Sequence, residues 1–343
     1  MKKVLVAMSG GVDSAVCALL MKQIGFECMG ATMELFKKED STDVSDAKAV
    51  AEKLEIPHYV IDFSKEFKQE AMDSFVQAYE NGETPNPCLV CNKKLKFGAL
   101  ADYAKSLGCD GIATGHYAKI EKSGEKFILK KAADPLKDQS YFLYSLTQQQ
   151  LAFSHFPLGE MTKEQVREIA LENGFMNAKR ADSQDICFVP DGDYVKVIEG
   201  LSGKDYPEGD FIDVCGKVLG RHKGIIRYTV GQRKGLGLAL PQPMYVKEKR
   251  AEENCVVLSL NEELFSTRLY AIDFNWISGE SPTEPIRAKA RVRYRHVEQE
   301  ATITPLKDGR VQVVFDEPVR AITKGQAVVI YDGDIVLGGG TIL

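Results

Sequence analysis

The chain has 343 residues, 44% of them hydrophobic and 27% charged, which is typical of globular proteins and too long for one ordinary core. Its net charge of −5 excludes a general polyanion-binding protein, so any nucleic-acid contact must come from local basic segments. No run approaches the roughly 20 apolar residues of a membrane span, and the short N-terminal apolar run does not fit a signal peptide. We therefore expect a cytoplasmic protein of two or three domains that needs no membrane.

The first predicted strand, VLVAM, leads into the glycine-rich segment SGGVDS (Ser9 to Ser14) and then an amphipathic helix that ends at Gly25. This order directs free backbone N–H groups and the positive end of a helix dipole at an anion. The segment has neither the lysine of a Walker A loop nor the spacing of a dinucleotide-binding motif. It predicts a bound phosphate, with a simple tight turn as the alternative.

Further strands, CMGATMELF, PHYVIDF and DGIATGHYAKI, alternate with predicted helices. This alternation favours an α/β fold with a doubly wound parallel sheet whose ligand lies at the carboxyl ends of the strands. His116 ends one of these strands and is either a site residue or structural. The segment KIEKSGEKFILKK predicts a hairpin, and 147–171 has a helical pattern with a capping box at Thr162 and Gln165.

Two cysteines, Cys88 and Cys91, lie in the proline-rich segment TPNPCLVCNKK. Asn92 is the predicted cap of the following helix, so Cys91 would precede a helix N-terminus. The helix dipole, with Lys93 and Lys94, is then expected to favour a thiolate. A disulfide framework is not expected in a cytoplasmic chain of this size, so reactivity or metal binding is the question for these thiols.

Beyond residue 201, short alternating runs separated by glycine and proline predict an all-β half, a small domain followed by a barrel. We place the domain boundaries at 1–204, 205–267 and 268–343. In the last range, basic residues occupy every second position of one predicted strand: Arg287, Lys289, Arg291, Arg293 and Arg295. Such a face meets phosphates, or it is solvated and opposed by acids on neighbouring strands.

Taken together, AMSGGVDS, TPNPCLVCNKKLKFG, ATGHYA, KDQSYFL, SQDICF, TVGQRKGLG and RVRYRH resemble the tRNA-specific 2-thiouridylases (MnmA/TrmU) of the PP-loop ATP pyrophosphatase superfamily. The resemblance implies a sulfurtransferase that uses ATP and Mg²⁺ to adenylate the 2-carbonyl oxygen of the wobble uridine in tRNAs for Lys, Glu and Gln. Sulfur then displaces AMP. The implied partners are tRNA and a sulfur donor, either a persulfide carrier protein or sulfide.

The resemblance also implies site residues. The ATP site would comprise Ala7, Met8, Ser9, Gly10, Gly11, Val12, Asp13, Ser14, Met33 and Gly115, with Asp13 helping to place Mg²⁺ and phosphates. The target base would meet Asn86, Pro87 and Cys88, and tRNA would meet His116, Lys137, Asp138, Gln139, Arg293, Tyr294 and Gln326. Cys91 would be the attacking cysteine, and Cys187 would carry the persulfide or release sulfur by forming a disulfide with Cys91.

One position departs from the family pattern, because Cys88 stands where well-known members carry Asp. The substitution leaves several alternatives. Sulfur moves by a persulfide relay between Cys187 and Cys91; or Cys88, Cys91 and Cys187 ligate a 4Fe-4S cluster whose fourth iron carries sulfur; or the set binds zinc, or Cys88 is innocuous.

Two rival functions remain open from the sequence. A PP-loop ligase could amidate a small molecule, although it would need neither paired loop cysteines nor a basic β-domain. A tRNA-binding protein without activity is the other rival, against which the intact SGGVDS segment and the three cysteines argue.

Overall fold

The structure is a computed structural model and describes residues 1–36, 42–179, 186–189 and 192–343. Its α-helices are Val12–Gln23, Asp43–Lys53, Ser64–Phe67, Ser74–Glu80, Pro87–Val90, Leu100–Ser106, Gln148–Ala152, Lys163–Glu172 and Tyr194–Ser202. Two π-helical segments, Lys68–Asp73 and Cys91–Ala99, make 64–80 and 87–106 continuous helical stretches. Among the described residues, no helix combines the length and apolar character needed to cross a membrane.

The N-terminal region is built on a parallel sheet, as predicted. Its strands are β1 (Lys3–Ala7), β2 (Glu27–Glu34), β3 (His58–Asp62), β4 (Gly111–Ala113) and β7 (Ser154–His155), in the order β3-β2-β1-β4-β7. Apolar residues of β1 alternate between two cores, since Leu5 packs with the 64–106 helices while Val4 and Val6 pack with helix Val12–Gln23. The strand order reverses between β1 and β4, and α/β proteins bind ligands at that point.

The helical pattern of 147–171 forms two helices rather than one. Strand β7 and a turn separate Gln148–Ala152 from Lys163–Glu172, because the intervening residues pair with the edge of the parallel sheet. Each helix begins with a capping box, one at Thr147 and the predicted one at Thr162.

The C-terminal half is all-β, as predicted. A small sheet of order β10-β11-β8-β9 contains β8 (Gly209–Asp213), β9 (Val218–His222), β10 (Tyr245–Arg250) and β11 (Cys255–Ser259). A barrel of order β12-β15-β14-β13-β16-β17 follows, with β12 (Phe265–Trp276), β13 (Ile286–Arg291), β14 (Gln299–Pro305), β15 (Val311–Arg320), β16 (Ala327–Asp332) and β17 (Ile335–Ile342). Pairing of β12 with β17 closes the barrel.

The predicted hairpin is present as β5 (Lys119–Ser123) and β6 (Lys126–Lys130), but it does not join the parallel sheet. Strand β6 pairs with β17, at Lys130 and Ile335, so the hairpin extends the barrel sheet. The N-terminal region and the barrel therefore share a sheet.

Candidate active site

The segment SGGVDS forms the turn between β1 and helix Val12–Gln23, where it closes on itself. The Ser14 hydroxyl accepts a hydrogen bond from the Ser9 amide (3.2 Å) and donates one to the Gly11 carbonyl (2.9 Å). Gly10 has φ +75°, and a Cβ there would lie 2.4 Å from the Asp43 carbonyl oxygen. Only glycine fits this position. The N-cap Gly11 has no side chain to cap the first N–H groups of the helix, which an anion could therefore accept from.

Asp13 has cationic and phenolic partners inside the protein. The Lys163 ammonium donates to both of its carboxylate oxygens, at 2.7 and 2.9 Å, and the Tyr117 hydroxyl donates at 2.8 Å. Lys163 is only 4% exposed and begins the helix Lys163–Glu172. The motif carboxylate is therefore neutralised by a buried lysine 150 residues further along the chain.

The other residues predicted for ATP lie at the same edge of the sheet. Met33 is near the end of β2, and Gly115 follows β4 by two residues. Gly115 packs on the SGGVDS turn, the predicted phosphate turn, because a Cβ at Gly115 would lie 2.8 Å from the Asp13 carbonyl carbon. The predicted nucleotide residues thus converge where the strand order reverses.

The loop cysteines lie inside a helix rather than in front of one, so the prediction for Cys91 was wrong in its geometry. The helical stretch begins at Pro87, and the Asn86 side chain accepts from the Cys88 amide at 3.2 Å as the cap. Asn92 is buried within the helix and donates to the Phe142 carbonyl oxygen at 3.2 Å. Proline at the first position and asparagine at the cap explain this earlier start.

The expected lowering of the Cys91 pKa was also wrong. Burial raises the pKa of the Cys91 thiol, and the nearby Lys96 ammonium offsets only part of that rise. Lys96, not Lys93 or Lys94, is the cation whose charge acts on this thiol. The first-turn dipole cannot act on Cys91 because Cys91 lies a full turn inside the helix.

Cys187 belongs to the same neighbourhood. Burial raises the pKa of its thiol to about 12, and charge on Cys91 and Cys88 raises it further, whereas Lys96 lowers it. Cys88 responds in the same way to burial, Lys96 and Cys91. Cys88 and Cys187 keep solvent-exposed surface, so a substrate can reach the group.

Metal binding by this thiol group gains no support. The part of the chain that the structure describes contains no group of three or more His, Cys, Asp or Glu side chains placed to hold a metal ion. Iron–sulfur and structural zinc sites need such a converging donor set, and a 4Fe-4S cluster or a zinc ion at Cys88, Cys91 and Cys187 stays a prediction.

His116 follows β4 and contacts the helical stretch that carries the cysteines, through Phe97. It is 7% exposed, shares a 2.7 Å hydrogen bond with Thr114 and packs against Phe97 and Phe156. Burial lowers its pKa well below the usual value, and Lys96 lowers it further. Its imidazole is therefore neutral and enclosed.

Three residues predicted for tRNA follow the hairpin. Asp138 is 5% exposed and accepts from the Ala132 and Ser140 amides, both at 3.1 Å. Gln139 accepts from the Tyr117 amide at 3.0 Å, whereas Lys137 is partly exposed. Asp138 and Gln139 thus organise the loop that presents Lys137.

The remaining predicted tRNA residues lie in or beside the barrel. Arg293 donates to the Val230 and Ala321 carbonyl oxygens, at 3.1 and 2.8 Å, and to the Thr323 hydroxyl. Tyr294 packs on Phe142, with ring centroids 4.4 Å apart. The Gln326 amide donates to the Thr84 carbonyl oxygen at 2.7 Å, four residues before Cys88.

The basic strand ends at Arg291, and acids oppose its charges. Arg287 pairs with Asp316, Lys289 with Glu300, and Arg291 with both Glu298 and Asp138. Arg293 and Arg295 lie in the turn that follows. Of the two alternatives for this face, acids on neighbouring strands account for its strand residues.

Sequence reasoning missed Lys163, Tyr117 and Lys96. The capping box at Thr162 marks a helix start, which places Lys163 in its first turn, but nothing local indicates a partner 150 residues away. Lys96 lies five residues after Cys91 in a π-helical segment, where the i to i+5 hydrogen bond stacks such residues on one face. An ordinary α-helical reading turns Lys96 away from Cys91.

Comparison with known proteins agrees with this architecture. Residues 2–191 match the family model described as tRNA methyl transferase HUP domain, 197–260 the tRNA methyl transferase PRC-barrel domain, and 266–342 the aminomethyltransferase beta-barrel domain. Among solved structures, a 4-thiouridine synthetase in complex with RNA and ATP matches at TM-score 0.37 and 14% identity, covering 58% of this chain and 50% of that one.

Two relatives match nearly the whole chain at much higher sequence identity than this solved structure. The tRNA-specific 2-thiouridylase MnmA of Clostridium botulinum (strain Alaska E43) is 48% identical over 352 residues, covering 99% of this chain and 98% of the relative. The protein of the same name from Acetivibrio thermocellus is 49% identical over 355 residues, covering 99% of each. With this identity across all the elements described above, the chain belongs to the tRNA-specific 2-thiouridylase family of sulfurtransferases.

Proposed function

We propose that the protein uses ATP and a sulfur donor to thiolate C2 of the wobble uridine in tRNAs for Lys, Glu and Gln. The observation that carries the proposal is the shared neighbourhood of Cys91, Cys187 and Lys96, which His116 and Gly115 connect to the phosphate turn. Paired thiols beside an anion site suit activation followed by sulfur transfer.

The first half of the reaction is adenylation. The uridine 2-carbonyl oxygen attacks the α-phosphorus of ATP, an O–P bond forms, and pyrophosphate leaves. The N–H groups at the start of helix Val12–Gln23 hold the phosphates. Both carboxylate oxygens of Asp13 already accept hydrogen bonds from the Lys163 ammonium, so this carboxylate, as it stands in the structure, does not fit a Mg²⁺ ion.

The second half is sulfur transfer. The Cys187 sulfur attacks the terminal sulfur of a carrier persulfide, and the S–S bond of the carrier breaks so that its thiolate leaves. The terminal sulfur of the resulting Cys187 persulfide attacks C2 and expels AMP with the former carbonyl oxygen, which leaves a C2–S–S–Cys187 linkage. The Cys91 thiol gives its proton to solvent and its sulfur then attacks Sγ of Cys187, and the electron pair of the broken S–S bond leaves with the sulfur of 2-thiouridine. A thiol reductant reduces the resulting Cys91–Cys187 disulfide.

Mass analysis of the wobble uridine, after incubation with ATP, tRNA and either sulfide or a persulfide donor, tests the proposal. With the persulfide donor we expect 2-thiouridine and one AMP per thiolation, whereas sulfide alone should give none because it cannot form the Cys187 persulfide without an oxidant. Cys187→Ser should lose thiolation and AMP release while keeping tRNA-dependent release of pyrophosphate, because adenylation does not use this thiol. AMP release that needs no tRNA would instead indicate a small-molecule ligase, and no AMP release would contradict adenylation.

Replacing Cys88, the residue that differs from the family pattern, tests the persulfide relay specifically. Cys88→Asp restores the loop pattern of well-known family members, and the relay uses only Cys91 and Cys187. Thiolation should therefore persist in this variant with the persulfide donor. Its loss would show that the Cys88 thiol takes part in the chemistry.

A further inference from the structure

The short segment Gly82–Thr84 connects helix Ser74–Glu80 to the Asn86 cap of the helical stretch that bears Cys88 and Cys91. Its own backbone ends the helix, since the Gly82 amide donates to the Tyr79 carbonyl oxygen at 3.1 Å and the Glu83 amide to that of Ala78 at 2.8 Å. Pro85 alone separates Thr84 from the Asn86 cap. Because proline fixes its own φ and restricts the preceding residue, displacement of Thr84 reaches the cap with little loss.

The small central sheet holds this segment through a buried lysine. Lys249 on β10 is 8% exposed, and its ammonium donates to the Glu83 carbonyl oxygen at 3.0 Å. The same ammonium lies 5.0 Å from the centroid of the Tyr79 ring. A Cβ at Gly82 would lie 3.0 Å from the Lys249 carbonyl oxygen, so the two backbones are in close contact.

The barrel holds the next residue. The Thr84 amide donates to the Lys324 carbonyl oxygen at 2.9 Å, and the Gln326 side chain donates to the Thr84 carbonyl oxygen at 2.7 Å. Gly325, with φ +84°, approaches so closely that a Cβ there would lie 3.0 Å from that of Glu83. Three consecutive backbone groups, the Glu83 carbonyl and both polar groups of Thr84, are thus held by two different units of the chain.

We propose that Lys249 and Gln326 are positioning residues for sulfur transfer: from the central sheet and the barrel they hold Glu83–Thr84 and so fix the start of the helical stretch that carries Cys88 and Cys91. The inference rests on the proposed role of these cysteines. Burial removes water from the Lys249 ammonium and lowers its pKa to about 8. A buried ammonium is costly unless it donates to an acceptor, and here the acceptor is the Glu83 carbonyl oxygen.

Lys249→Met tests the proposal, because it keeps the length of the side chain and removes the donor. We expect kcat for thiolation to fall at least tenfold, ATP binding and tRNA KM to change less than twofold, and AMP released per thiouridine to rise. Lys249→Arg, which keeps a donor, should recover most of kcat. Lys247→Met, two residues earlier on the same strand, is the matched control.

A second measurement needs no turnover. Hydrogen exchange in a peptide covering 84–91 should be at least fivefold faster in Lys249→Met and in Gln326→Met than in the unmodified chain, with the parallel sheet unchanged. Unchanged exchange in both variants would overturn the positioning role of Lys249 and Gln326, as would full coupling of AMP release to thiolation in Lys249→Met. If the unmodified chain makes no thiouridine while the exchange result holds, the proposed function fails and the positioning role stands.

Discussion

At the scale of single residues, the partners of the Asp13 carboxylate are the largest difference from the sequence analysis, which assigned Asp13 to Mg²⁺ and phosphates. Its carboxylate accepts two hydrogen bonds from the Lys163 ammonium and one from Tyr117. The lysine therefore offsets a negative charge at the place where ATP phosphates are expected. Without that cation, the carboxylate would repel them.

We predict that Lys163→Met weakens binding of a non-hydrolysable ATP analogue at least tenfold, as measured by calorimetry. The free energy of unfolding should fall by about 1–3 kcal/mol, the usual consequence of leaving a charged hydrogen-bonding group without its partner. The double variant Asp13→Asn with Lys163→Met should regain part of this stability, since no charge is then left unpaired. Additive effects of the two substitutions would contradict the coupling.

The charge of Lys96 acts on the pKa of the Cys187 thiol. Burial and the neighbouring thiols raise the pKa of Cys187 to about 12, and Lys96 acts in the opposite direction. At neutral pH the free thiol is therefore protonated, and only the thiolate reacts with alkylating agents.

The iodoacetamide alkylation rate of Cys187 should accordingly rise about tenfold per pH unit from pH 7 to 10 without reaching a plateau. Lys96→Met removes the cation that lowers the pKa and should slow alkylation at every pH in this range. Lys93→Met, on the same helix, provides the control and should have no effect. A plateau below pH 9 would show that the thiol is not held in its protonated form.

At the scale of secondary-structure elements, β13 shows how acids neutralise a row of basic residues. Lys289 pairs with Glu300 on the adjacent strand β14, and Arg287 reaches Asp316 on β15, one strand further. These pairs are exposed, so their contribution to stability is small. Arg295, in the turn after the strand, is exposed and belongs to none of the ion pairs found among the described residues.

We predict that Arg295→Ala lowers the slope of log K for tRNA against log salt by about 1, as expected for loss of one phosphate contact. Arg287→Ala is the matched control on the same face. It should leave the slope unchanged because Asp316 already neutralises its charge. Equal slopes in both variants and the unmodified chain would mean that this turn makes no phosphate contact.

At the scale of the whole molecule, Arg293 joins the central unit to the barrel. Its guanidinium donates to the Val230 carbonyl oxygen on one side and to Ala321 and Thr323 on the other. Burial lowers the pKa of Arg293, with Arg320 adding to the effect. A desolvated guanidinium with these partners acts mainly as an internal connection.

Arg293→Met should therefore lower the free energy of unfolding in urea by about 1–3 kcal/mol, because acceptors at the junction lose their donor. We also expect the central unit to unfold before the barrel, so that two spectroscopic probes no longer give coincident transitions. Arg295→Met, two residues away and exposed, serves as the control. A variant as stable as its control would exclude this structural role.

Much of the fold follows from local patterns. The apolar run before SGGVDS, the glycines within it and the helical spacing after it specify a strand, a turn and a helix, because each depends on residues only a few positions apart. The alternation of strands and helices then specifies a parallel sheet, and alternating short runs specify the β-half. These predictions were confirmed.

Tertiary structure decided which distant groups meet, and those contacts set charge and orientation. Lys163 reaches Asp13 across 150 residues, and Gln326 reaches Thr84 across 242. The Cys91 pKa rises rather than falls because burial outweighs nearby charge, and burial depends on the packed chain. Sequence alone determined the strand, turn and helix around SGGVDS, since backbone geometry is local. Only the folded chain determined the partners of that turn and the helical placement of Cys88 and Cys91, since desolvation and long-range pairing arise from packing.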